Sequence, residues 1–135
     1  MRVLVVTSEP ISAADLSAAL PGDVDPNDVE VMVVAPALQS SPLKFWLSDA
    51  DDAIVRARRT GQETVERLSR EGVDVESETG ESDPELAIED ALQGFPADEI
   101  IVFTHPESEQ RYREDVDAEE LEQRFRRPVR QATLG

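Results

Sequence analysis

The chain of 135 residues has no cysteine, one lysine, one histidine, six glycines, and aromatics at only 4%. Without cysteine there is no disulfide, no thiolate nucleophile and no thiolate metal site. A single histidine, His105, cannot make a metal centre without other strong ligands, so no metal is expected. The scarcity of aromatics leaves the core to Val, Leu, Ile and Ala. No apolar run approaches the ~20 residues that cross a bilayer. The first such run, Val3 to Val6, is too short for a signal-peptide core and soon meets Pro10. The expected compartment is the cytoplasm. Basic charge is also scarce, 13 cations against 30 acids, for a formal net charge of −17. Phosphate contacts need a basic face, so general nucleic-acid binding is excluded and anionic membranes are disfavoured.

Twelve of the thirteen cations are Arg, with Lys44 the sole lysine. High-GC coding bias accounts for this more simply than adaptation to a high-salt cytoplasm, where abundant carboxylates keep a protein hydrated. Glu outnumbers Asp by 17 to 13, which lends the high-salt reading no special support.

Five short β-type runs punctuate the sequence: Arg2–Thr7, Val29–Ala35, Val73–Glu78, Glu99–Thr104 and Pro128–Leu134. The first, second and fourth are nearly continuous apolar runs, as in central parallel strands covered on both faces. The third alternates and the fifth carries Arg130 and Gln131, so both read as edge strands guarded by charge. Helical patterns fill the gaps. Ser12 with Asp15 three residues on forms a capping box, and Ile11 with Leu16 a hydrophobic staple. The second helix, from about Asp49 to Arg70, places Ala50, Ala53, Ile54, Ala57, Val65 and Leu68 on one face, with Gly72 as its stop. A third opens at Ser82-Asp83-Pro84-Glu85 and ends at Gly94. A fourth starts near Asp117, with Glu120 as box partner, and buries Leu121 and Phe125. Strands alternating with helices predict one α/β domain over 1–135. Its architecture is a doubly wound five-stranded parallel sheet with helices on both faces.

In such a sheet the ligand crevice lies at the C-terminal strand ends where the winding reverses. With the first strand central, the loops Thr7-Ser8-Glu9-Pro10 and Thr104-His105-Pro106-Glu107 line it, flanked by Ala35-Pro36-Ala37. The candidate ligand-binding residues are Thr7, Ser8, Ala35, Thr104, His105, Arg111 and Arg113.

The ordered set of Gly80-Glu81-Ser82-Asp83-Pro84-Glu85-Leu86-Ala87-Ile88, Gly94 and Ala97-Asp98-Glu99-Ile100-Ile101-Val102 resembles the universal stress protein family. The opening RVLVVTSEP, Val33-Val34-Ala35-Pro36 and Arg127-Pro128-Val129 match its other landmarks. The resemblance implies the adenine nucleotide alpha hydrolase-like fold and a homodimer through the C-terminal strand, Pro128–Leu134. Departures from the family pattern bear on the ligand. Nucleotide-binding members carry an acidic residue where this chain has Thr7. They follow the fourth strand with a glycine-rich loop whose backbone N–H groups cradle phosphates. Here no glycine stands between Gly94 and Gly135, and Pro106 has no N–H to offer. Glu9, Glu107 and Glu109 add negative charge. The resemblance therefore points to a divergent member that does not bind ATP in the usual way; no cofactor is expected, with ATP or AMP disfavoured.

The single residues have plainer readings beside the functional ones. His105 sits where a general base could act, but no nucleophile or orienting acid accompanies it; a backbone hydrogen bond suffices, and no catalytic residue is assigned. A small hydrolase centred on His105 is the least supported function. Arg111-Tyr112-Arg113 could bind an anion through guanidinium groups instead of backbone amides. Pairing with Glu107, Glu109 or Glu114 is the simpler account. Phe45 and Trp46 could lie over the crevice, contact a partner, or pack their own loop. Asp23 to Asp28 echoes a calcium loop but lacks the required Gly and Glu. Asp49, Asp51 and Asp52 suit a helix N-terminus. Residues 124–135 carry a local +4 from Arg124, Arg126, Arg127 and Arg130, which could meet acidic surface on a partner or neutralise acids of the same subunit. The expected function is a regulatory or accessory stress-type protein that is not an enzyme.

Overall fold

A computed structural model describes residues 1–7, 9–20, 22, 24–36, 50–80, 84–104 and 118–133. The strands are β1 (Arg2–Val6), β2 (Glu30–Pro36), β3 (Asp74–Gly80), β4 (Glu99–Thr104) and β5 (Val129–Thr133). They form one sheet in the order β3-β2-β1-β4-β5, and every pairing is parallel. The helices are α1 (Ala13–Ala19), α2 (Ala50–Arg70), α3 (Pro84–Gly94) and α4 (Ala118–Phe125). The expected fold class is therefore observed, with β1 in the centre and the two charged strands at the edges.

The pleat divides the apolar strand residues between two cores. Val3 and Val5 of β1, Val31 and Val33 of β2, and Ile101 and Phe103 of β4 face α1 and α2, where they meet Ile11, Leu16 and Leu68. Leu4, Val6, Val34, Ile100 and Val102 face α3 and α4, where they meet Ala87, Ile88, Ala91 and Leu121. Central strands must be apolar on both faces because helices cover both.

Local chemistry fixes the helix ends. Ser12 accepts from the Asp15 amide, and Asp15 accepts from the Ser12 amide, so the predicted capping box is present. Ile11 and Leu16 are both fully buried in one cluster, as a staple requires. At the end of α2, Gly72 adopts φ +86°. Its amide donates to Ser69 O, and the Val73 amide to Leu68 O. This is a Schellman ending, whose left-handed residue favours glycine. Arg126 takes the same role after α4 at φ 56°, with its amide on Glu122 O.

One helix face differs from expectation. Ala57 and Leu68 are buried as expected, but Ile54 is 40% exposed, and Thr60, Gly61 and Thr64 complete the buried face of α2. Thr64 can be buried because its hydroxyl accepts a hydrogen bond from the Ile11 amide at 3.3 Å. A Cβ on Gly61 would stand 3.3 Å from Ser77 Cβ, so glycine lets α2 lie close on β3.

Candidate functional site

The strand order puts the winding reversal between β1 and β4, because β1 pairs with β2 on one side and β4 on the other. This is the reversal beside which the crevice is expected, since ligands of such sheets bind at the carboxyl ends of the strands at a switch point. Three of the seven candidate residues lie in described parts of it: Thr7, Ala35 and Thr104.

Thr7 extends β1 by one ladder bond, its amide donating to Val34 O at 3.1 Å. Its side chain then turns back on the loop. The hydroxyl donates to Glu9 O at 2.6 Å and accepts from the Glu9 amide at 3.2 Å. Such local side-chain bonds satisfy backbone groups in a tight turn. With 1% of its surface exposed, Thr7 closes the strand end with its amide and its hydroxyl both engaged. Glu9 beside it is exposed and carries the negative charge of this loop.

Ala35 is also 1% exposed and packs against Ala57 of α2. The small pair lets α2 approach the end of β2. Thr60 and Thr64 follow Ala57 along the same helix face, both buried. Through the Thr64–Ile11 bond, α2 anchors the chain that leaves the Thr7 turn. Thr60 and Thr64 were not singled out by sequence reasoning; the spacing of 57, 60, 61, 64 and 68 holds the signal. Thr104 ends β4, paired in register with Thr133. Ser8, His105, Arg111 and Arg113 lie outside the described residues, as do Phe45, Trp46 and the rest of 105–117.

The C-terminal cations are largely engaged within their own subunit. Arg124 pairs with Glu89 at 2.7 Å. Arg127 donates from Nε to Ala97 O at 2.6 Å and from Nη1 to Phe125 O at 2.8 Å, tying the end of α4 to the approach to β4. Arg130 forms an ion pair with Glu99, a carboxylate only 5% exposed.

An open cleft of about 530 Å³ lies between α1 and β5, lined by Asp15, Ala18, Ala19, Phe103, Arg130, Gln131 and Ala132. Its charged groups already serve the fold: Asp15 in the capping box and Arg130 on Glu99. Among the described residues no group of three or more His, Cys, Asp or Glu could hold a metal ion, and no helix is long and apolar enough to cross a membrane.

No family profile and no curated protein matches this sequence. Solved structures do. The chain is similar to the crystal structure of a protein from the universal stress protein family from Burkholderia pseudomallei, with TM-score 0.59 and 21% identity over 97% of this chain and 94% of that one. A universal stress protein solved in complex with cAMP is similar over 100% of this chain and 98% of that one, with TM-score 0.46 and 14% identity. The first of these overlaps nearly the whole of both chains. The chain has the universal stress protein fold.

Proposed function

We propose that this chain is a regulatory or accessory module of universal stress protein type, non-enzymatic and cytoplasmic, which holds no ATP in the way usual for that fold. The observation that carries the reading is the end of β1. Thr7 is sealed from solvent and its hydroxyl proton is held by Glu9 O, so this side chain does not supply the acidic group that nucleotide-binding relatives carry at the strand end. The sequence supports the same reading on the other side of the crevice. No glycine follows β4 before Gly135, and phosphate cradles are built from closely approaching backbone amides that glycine makes room for. Exposed Glu9 adds a charge of the wrong sign.

A module without a usual ligand works through its surface. We place a homodimer at β5, the edge strand whose outer side is unpaired in this subunit. Open strand edges are templates for pairing with another chain.

Titration calorimetry and thermal shift with ATP and AMP test the ligand reading. No heat and no stabilisation up to millimolar nucleotide is expected. Nucleotide binding that disappears in Arg111→Ala/Arg113→Ala would replace this reading with an anion site built on arginine.

A further inference from the structure

The exposed face of α2 carries a feature that neither the core nor the crevice uses. Ile54 is 40% exposed and Val55 52%, two of only four large apolar side chains so exposed among the described residues. One turn on, at i+4 from each, stand Arg58 and Arg59, both exposed. Residues at this spacing are neighbours on a helix surface, so two aliphatics and two guanidinium groups share one patch, with exposed Gln62 at its end. Neither Arg58 nor Arg59 has an ion-pair partner among the described residues. Between Asp52 and Glu63 the sequence holds three arginines and no acid, inside a chain of net charge −17.

We infer that this face of α2 is a docking surface for an acidic segment of a partner protein, one that sets an aliphatic anchor among carboxylates. The charge decides the class of partner. A cation-rich partner would favour the acidic parts of this surface over a patch of arginines that repels it. A carboxylate-rich segment finds in this spot both opposite charge and apolar area. At physiological ionic strength the Debye length of ~8 Å screens the distant acids of the chain, so the local arginines set the field a docked segment feels. An extended anionic bilayer covers far more of the molecule than the patch and meets the −17 as a whole. The platform is also rigid. α2 is a 21-residue helix held against the sheet by Ala57, Thr64 and Leu68, so little ordering is lost on binding.

This inference rests on the reading of the chain as a module that acts through its surface, yet fails separately from it: nucleotide titration reads the crevice, and the test below reads only α2. Fluorescence anisotropy of the full chain is measured with a labelled peptide of leucine pairs set among glutamates. Two controls replace its leucines by serine, or its glutamates by lysine. Vesicles of phosphatidylglycerol and phosphatidylcholine form a fourth arm. Binding of the leucine–glutamate peptide is expected, weakened about tenfold or more by Arg58→Glu/Arg59→Glu and by Ile54→Ser/Val55→Ser, and weakened by added salt. All four positions face solvent, so circular dichroism and melting should match the parent chain. Equal affinity in parent and variants would overturn the proposal. So would absence of binding, equal binding of the serine peptide, or preference for the lysine peptide or the vesicles.

Discussion

Replacing Arg130 by Met removes the partner of a carboxylate that has almost no access to water. Glu99 is 5% exposed at its side chain and Arg130 49%. Breaking a buried ion pair by deleting one member costs roughly 3–5 kcal/mol, because a charge is left without compensation. Arg130 lies half in solvent, which lowers the strength of the pair, so a loss of about 2–3 kcal/mol is expected. An unfolding entropy of about 2.1 cal/mol/K per residue gives roughly 0.28 kcal/mol/K for a chain of this length, so Tm should fall by about 7–11 °C. The comparison variant is Arg124→Met, which breaks the Glu89 pair at side chains 39% and 47% exposed. Exposed pairs are worth about 0–1 kcal/mol, so Tm should change by no more than about 4 °C. Glu99→Gln in the Arg130→Met background removes the stranded charge and should recover part of the loss. Urea unfolding of the four chains gives the energies. A loss below 1 kcal/mol for Arg130→Met, or a double variant less stable than the single one, would refute the reasoning.

Thr64→Val removes the acceptor for the buried Ile11 amide and should cost about 1–3 kcal/mol, while Thr64→Ser keeps the hydroxyl and most of the stability; hydrogen exchange at the Ile11 amide should accelerate in the first and not in the second. A dimer through β5 should sediment at twice 14.9 kDa. Gln131→Lys, which sets a charge on the exposed part of that edge strand, should return it to monomer; an unchanged dimer would place the contact elsewhere.

Much of the fold was legible because its strongest signals are local. The apolar runs at β1, β2 and β4, the Ser12–Asp15 box and the Gly72 stop each act over a few residues and agree with one another. The strand order followed from which runs were apolar on both faces. The face of α2 was less legible. Ile54, expected on the buried face, is exposed, whereas Thr60 and Thr64, outside the expected apolar face, are buried. Thr64 is paid for by an acceptor role toward Ile11, 53 residues away, which no helical pattern reveals. Gly61, inside the same helix, lies close against Ser77 of β3.

The winding reversal between β1 and β4 was legible from the strand pattern, but the chemistry beside it was less so. Thr7 was expected to face a ligand, and its hydroxyl is held by the Glu9 backbone, a local bond that competes with any outside partner. Of the two readings open for the C-terminal arginines, Arg124 and Arg130 follow the one in which they neutralise acids of their own subunit. Arg127 does something composition cannot show, since it binds two carbonyls rather than a carboxylate.

The central proposal is that this chain, with the universal stress protein fold, does not bind ATP in the usual way. Calorimetric titration of ATP into the full chain tests it most directly. The account predicts no binding heat up to millimolar nucleotide and no change in Tm. Micromolar binding that survives Arg111→Ala/Arg113→Ala would contradict it, because it would show a phosphate cradle assembled without the glycines and arginines from which one could be built.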